Sequence, residues 1–276
     1  MRLLKVGRQL PLVVWTVLCI VPFVLIFLLS FRSNTDIYTH PLGIGGSYQI
    51  ANYKQAWQGP PEAAGMANYF RNTFLAALAA LIVSLFVGST AAYFASQLPR
   101  KTRQWFLRVF LLGSVVPFVL IVIPLFQSYN DLNALNQPVA LGIGYGVLSL
   151  PTTVLVLTAY YTDFPRELIE AAACDGLGQF SAYLRIVLPL SKGVITAVGI
   201  VVLVFVWGEA QLGIILLQQP TSQTVAVGML GFQGEFTTSL GPIFAGLSIA
   251  TIPVVILYLA FNRFIRKGIA LGGVFR

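Results

Sequence analysis

Four of the nine carboxylates in this 276-residue chain fall within 162–192, as Asp163, Glu167, Glu170 and Asp175. The stretch EAAACDGLGQFSAYLRIVLPL at 170–190 adds Arg185, two glycines and a proline, and it lies between two runs apolar enough to cross a bilayer. Acids on a short helix can meet a cationic cleft on another molecule. General acid–base work needs a second titratable group facing the same cavity. The chain offers one histidine, His40, and two cysteines, Cys19 and Cys174. It has no His-Glu-x-x-His, Cys-x-x-Cys or Gly-x-Ser-x-Gly pattern. No lysine directly follows a glycine, so a Gly-x-x-x-x-Gly-Lys-Ser/Thr phosphate loop is absent as well. The residues support recognition rather than catalysis, and the chain is not read as an enzyme.

Glu209, within WGEAQ, is the one carboxylate placed inside an apolar run. An acid at mid-membrane costs roughly 2.5 to 3.5 kcal/mol on insertion scales, so Glu209 must face a cavity or a partner chain. Two readings stay open. With Trp207 and Gln211 it lines a pathway, where an aromatic face and an amide suit a hydroxylated solute; alternatively it makes a structural hydrogen bond at an interface with another membrane chain.

The elements that must hold these residues follow from composition. With 57% hydrophobic and 9% charged residues, the chain is far more apolar than soluble domains, about a quarter of whose residues are charged. Six runs reach the ~20 residues a helix needs to cross a hydrocarbon core. They fall near 10–31, 73–96, 105–127, 139–161, 193–217 and 243–264, in one membrane domain covering 1–276. The first run follows Arg2, Lys5 and Arg8, yet continues past Pro22 without a small-x-small cleavage site, so it reads as a retained span. With six spans both ends share a side, and that side collects 14 of the 17 cations against Arg32, Lys54 and Arg71. Both termini are therefore expected in the cytoplasm. The net charge of +8 is accounted for by this asymmetry; it meets anionic lipid and gives no reason to invoke nucleic acid. Cys19, in a span, and Cys174, in an inner loop, cannot pair.

The inner segment 162–192 has helix punctuation. Thr162 or Asp163 can cap, Pro165 suits a first turn, Glu167 and Glu170 favour the positive dipole end, and Gly176 supplies a stop. A short helix is expected from about 165 to 175, with Ala171, Ala172 and Ala173 offering a smooth face beside Glu170. After the glycine elbow, Phe180, Tyr183, Leu184 and Val187 recur at helical spacing until Pro189. The first helix is too acidic for a membrane-surface helix, so insertion into a groove on a cytoplasmic protein fits it better.

These residues resemble the EAA loop of the membrane subunits of bacterial ABC importers: Glu170, Ala171 and Ala172, then Asp175 with Gly176, then Leu188 with Pro189. Asn52–Tyr53, Arg71–Asn72, Ala91–Ala92–Tyr93, Ile123–Pro124–Leu125, Pro165 and the ending GIALGGV at 268–274 are similar to the carbohydrate branch, close to its maltose-type second permease. Lys192, Gly208 and the final Phe275 and Arg276 depart from that pattern. The resemblance implies a type I importer permease fold, all-α with six transmembrane helices and the coupling loop between the fourth and fifth. It implies that the helix around Glu170 docks on a separate ATPase, with Glu170 facing a cation there and Gly176 allowing the elbow. The implied partners are two ATPase subunits that bind ATP and Mg, a second homologous permease and an extracytoplasmic solute-binding protein; this chain would hold no cofactor or metal. The segment 218–241, with Pro220, Gly228, Gly231 and Gly234, is either a plain outer loop or a reach toward the binding protein. Pro117 and Pro124 share a helix face as a candidate kink. An importer of a non-sugar solute remains the alternative. An ion-coupled transporter would bury several ionisable groups where this chain has Glu209 alone.

Overall fold

The computed structural model describes residues 2–40, 48–235 and 239–274, with side chains left out of the description at 2–10, 118–119, 233–235 and 262–274. Pro41, Phe275 and Arg276 therefore lie outside the described residues, as do the side chains of the terminal basic clusters and of the 268–274 motif. Among the described residues there is no strand, only an isolated bridge between Arg32 and Tyr48.

Among the described residues four helices are long and apolar enough to cross a membrane unbroken: Pro11–Leu29, Met66–Gln97, Pro138–Thr162 and Leu240–Phe261. Two bent pairs, Arg100–Val115 with Leu120–Asp131 and Gln179–Leu190 with Lys192–Gly208, raise the count to six if each is one span. We number the spans first to sixth in chain order on that basis. The run expected at 105–127, with its candidate kink, is broken sharply: its two helices meet at 93°. The break falls at Val116–Pro117, where Val116 is extended (ψ 119°). Proline has no N–H to continue the ladder and pushes the preceding residue out of the helical region. Pro124 stays inside the following helix.

The second and fourth spans form the centre. Their closest approach is through Gly142 and Gly146: a Cβ on Gly142 would lie 2.2 Å from the Ala76 carbonyl oxygen, and one on Gly146 would lie 2.6 Å from Val83 Cβ. Small residues let membrane helices approach to backbone contact, where dispersion and interhelical hydrogen bonds replace the hydrophobic drive that lipid removes. Ser84 and Thr153 share such a bond at 2.7 Å, fully buried across the same seam. By contrast, the most apolar window of the first span has no buried residue, and its aromatic side chains Trp15 and Phe23 are exposed.

Three buried clusters follow one another along the second span. Met66 and Tyr69 join Val225, Met229, Phe232 and Ala245 at one end. Ala76, Ala77 and Ala80 pack with Leu141, Tyr145, Val202 and Val206 in the middle. Ala92 and Tyr93 pack with Tyr161, Phe164, Tyr183 and Val187 at the end that carries 162–192. The segment 218–241 is not a plain loop: Val225–Glu235 is a helix whose Gly228 backbone lies against the Tyr69 ring. Asn72 secures its approach, donating to the Thr221 and Gln223 carbonyls at 2.9 and 3.0 Å.

Candidate functional site

The acidic segment builds a short helix, Arg166–Cys174. Its start differs from expectation. Thr162 closes the fourth span, Asp163 is that span's C-cap, and Pro165 sits at the N-cap with no side-chain hydrogen bond. Pro165 has the extended ψ (117°) that an N-cap requires, while buried Phe164 anchors the entry. The stop falls where the glycine predicts it. Gly176 has φ +77°; its N–H reaches the Ala173 carbonyl at 3.0 Å, and the Leu177 N–H reaches Ala172 at 3.0 Å. That crossed pair is a Schellman closure, which needs a residue comfortable in the left-handed region.

Glu170, Ala171 and Asp175 are exposed. Ala172 is the exception to the expected smooth face, because it is buried beneath the helix. The exposed surface therefore runs through Glu170, Ala171 and Ala173, with Ala172 as the foot. In the helix that follows, Tyr183 and Val187 are buried but Phe180 and Leu184 stay 47% and 39% exposed, so half of the expected apolar face is only partly covered by the described residues. Leu188 is half-buried and Pro189 exposed. Pro189 opens a last turn, Leu188–Leu190, rather than ending the helix, and the chain then turns by 80° into Lys192–Gly208.

The second site lies where that fifth span stops short of the expected 217. The helix ends at Gly208, Glu209 is extended (ψ 122°), and Gln211–Leu216 begins a new helix. Glu209 Oε1 accepts the Leu212 N–H at 3.0 Å, satisfying one of the orphan donors at that helix start. Glu209 Oε2 accepts the Tyr145 hydroxyl from the fourth span. The hydrogen bond expected at an interface with another membrane chain is instead made within this chain, to Tyr145. Its remaining surface faces an open cleft of about 520 Å³ lined by Leu148, Phe205, Gly208, Glu209, Ala210 and Gln211.

Glu209 and Gln211 are brought together in this cleft; Trp207 is not. The Trp207 indole donates to the Ala250 carbonyl at 3.1 Å and its ring lies 5.9 Å from Phe70, so it fastens the sixth span on another face. A second cleft of about 200 Å³ shares Leu148 and Phe205 and adds Ser149 and Thr152. Together the two clefts carry a polar strip of Thr152, Ser149, Glu209 and Gln211 between the fourth and fifth spans. Tyr145, Ser149 and Thr152 escaped the sequence reading. Their signal was hydroxyls inside an apolar run, which is weak because such hydroxyls also bond their own helix, as Ser149 does to the Tyr145 carbonyl.

Comparison with known proteins gives concordant matches. The family model described as "Binding-protein-dependent transport system inner membrane component" matches residues 84–271. The chain is 32% identical over 255 residues to the "Sulfoquinovosyl glycerol transport system permease protein SmoH" of Agrobacterium fabrum, covering 92% of this chain and 88% of that one. It is 27% identical over 263 residues to the "Diacetylchitobiose uptake system permease protein NgcG" of Streptomyces coelicolor, covering 95% and 86%. Among solved structures, it matches a chain from a bacterial ABC transporter involved in the import of the acidic polysaccharide alginate. That match has a TM-score of 0.76 at 17% identity, over 95% of this chain and 96% of the other. At that identity the likeness speaks for the fold, which is that of an ABC importer permease.

Proposed function

The chain belongs to the binding-protein-dependent transport system inner membrane components, and we propose that it forms part of the path by which a sugar, oligosaccharide or polyol crosses the bacterial cytoplasmic membrane. Two ATPase subunits, which hold ATP and Mg, drive it; a second, homologous permease completes the channel, and an extracytoplasmic binding protein delivers the solute. Both termini face the cytoplasm, in keeping with the distribution of Lys and Arg.

The observation that carries this reading is the helix Arg166–Cys174, exposed along Glu170 and Ala171 yet footed on Ala172. A short, solvent-facing helix with a carboxylate and small neighbours suits a cleft on a soluble partner. Glu170 meets a cation there, Asp175 and Gly176 set the elbow, and Leu188–Pro189 link the movement to the bend at the foot of the fifth span. ATP-driven closure of the two ATPases moves this helix and switches the spans between inward and outward access.

Glu209, Gln211, Ser149 and Thr152 line the chain's share of the solute path, with Trp207 acting behind it as the fastener of the sixth span. Amide, carboxylate and hydroxyl groups set in apolar walls fit a polyhydroxylated solute. The two relatives are named for diacetylchitobiose uptake and for sulfoquinovosyl glycerol transport, which supports the carbohydrate class.

The test is affinity purification of the tagged chain from its host in mild detergent, followed by reconstitution in vesicles. Co-purification of a Walker-motif ATPase and a second permease, with uptake requiring ATP, supports the assignment. A chain that isolates alone and moves solute without ATP refutes it. A panel of sugars against the partner binding protein, read by thermal shift, decides the solute class.

A further inference from the structure

The Tyr183 hydroxyl donates to Ser89 Oγ at 2.9 Å, and Ser89 Oγ lies 2.8 Å from the Tyr161 hydroxyl. Ser89 is 1% exposed, and Tyr161 and Tyr183 are each 2% exposed. Three elements meet in this chain of hydroxyls: Ser89 on the second span, Tyr161 at the end of the fourth, and Tyr183 on the helix after the glycine elbow. The Tyr93 ring completes the joint, stacked on Tyr183 at 4.9 Å and 27° and edge-on to Tyr161 at 6.1 Å and 85°.

Two irregular turns flank it. Ile82–Val87 of the second span is π-helical and stops just short of Ser89, and Tyr183 opens the π-helical turn Tyr183–Val187. Residues of both turns line one apolar groove of about 420 Å³, including Ile82, Leu85, Phe86, Tyr183 and Leu184. π turns are rare and tend to occur at functional places in helices. Here two of them border one groove, and a buried hydrogen bond ties Tyr183 of one to Ser89, two residues beyond the other. Apolar contacts let helices slide, whereas a hydrogen bond is directional and weakens steeply when bent.

We propose that Tyr183, Ser89 and Tyr161 are positioning residues that carry displacement of the Arg166–Cys174 helix into the second and fourth spans. The proposal rests on the reading of that helix as the ATPase-coupling element. Ile169 of the coupling helix packs against the same cluster, and Ala182, next to Tyr183, is buried beside it. A push on the helix therefore reaches the cluster in which the joint is set. The fourth span then carries the motion to Tyr145, Ser149 and Thr152 beside the Glu209 cleft.

The test uses the assembled transporter with its own ATPase and partner permease, and needs no solute. In a Cys19→Ser, Cys174→Ser background, a Gln211→Cys reporter in the cleft is labelled with a maleimide, with and without ATP and vanadate. ATP hydrolysis is measured on the same preparation without vanadate. The unaltered joint should change the labelling rate on ATP binding. Tyr183→Phe and Ser89→Ala, which delete single hydroxyls and keep the shapes, should each shrink that change by roughly threefold while hydrolysis continues. Tyr183→Leu should remove most of it. An ATP response that survives both hydroxyl deletions overturns the joint and leaves the importer reading standing. No ATP response with the joint intact overturns both. If Tyr183→Leu fails to assemble, the two hydroxyl deletions decide. A purely structural role would lower assembly and hydrolysis together with labelling, which also overturns the proposal.

Discussion

Tyr145 and Glu209 are joined by a hydrogen bond across 64 residues of sequence, from the phenol of the fourth span to the carboxylate at the break in the fifth. The second carboxylate oxygen holds the Leu212 N–H. Glu209 is thereby both helix cap and interhelical tie, which explains how a half-buried acid is tolerated at a point where the backbone leaves the helix. Tyr145→Phe should lower unfolding stability in detergent by about 1 kcal/mol, the net worth of one such bond. Glu209→Ala should lower it further, since it also strips the cap. Equal stability of the two variants in a thermal melt would mean that the cap contributes nothing.

The Gly142 contact gives a harsher test. A Cβ there would sit 2.2 Å from the Ala76 carbonyl oxygen and 2.7 Å from its Cα, against backbone that cannot swing aside. Gly142→Ala should cost about 3 kcal/mol through forced separation of the second and fourth spans. Gly113→Ala serves as the control, because nothing lies within 4 Å of a Cβ at that position. Comparing the two variants by folded yield in mild detergent checks the claim, and matching yields would contradict it.

How much of this was legible in the sequence depends on the range of the interaction involved. The helix Arg166–Cys174 and its stop at Gly176 were readable because proline, acids and glycine act within one turn, whereas the cap expected at Thr162 or Asp163 falls at Pro165. The apolar runs were readable because a bilayer imposes a length. The 93° bend was foreshadowed by Pro117, but a lone proline in a membrane helix does not say whether the helix kinks or breaks. Trp207 looked like a neighbour of Glu209 by adjacency, yet the helix ends at Gly208 and Glu209 is extended, so sequence spacing does not place the two side chains together. Its partner Ala250 is 43 residues distant and had no local signal. The Ser89–Tyr183 pair is separated by 94 residues, and the spacing of Tyr183 advertised an apolar face rather than a hydroxyl's destination.

Gly176 isolates a backbone effect. Its φ of +77° lies in the left-handed region, and no atom stands within 4 Å of a would-be Cβ. Any harm from a substitution there must come from conformation and not from crowding. Gly176→Ala should destabilise the elbow by about 1 kcal/mol, with Gly176→Asn milder and Gly176→Val worse, since asparagine visits that region more readily than β-branched residues. ATP-dependent uptake should follow the order Gly, Asn, Ala, Val. An order set by side-chain volume alone would show that space, and not φ, governs the position.

Glu170→Lys tests the docking reading most directly. Glu170 is exposed and lies on the same helix as buried Ala172, so reversing its charge leaves the foot of the helix and the packing behind it undisturbed. Membrane insertion and thermal stability should stay within about 0.5 kcal/mol of the parent, as for ordinary surface changes. If Glu170 meets a cation in the ATPase cleft, the variant places like charges together as the surfaces desolvate. That should reduce ATP-dependent uptake roughly thirtyfold or more, about 2 kcal/mol, the lower end for disrupting a buried charge pair. Glu170→Gln, which keeps the shape and one acceptor, should fall between the two. A compensating Glu substitution of the facing ATPase cation, found by cross-linking from Ala171→Cys, should restore uptake in the Glu170→Lys background. Normal uptake by Glu170→Lys, with the ATPase still bound, would remove Glu170 from the coupling interface.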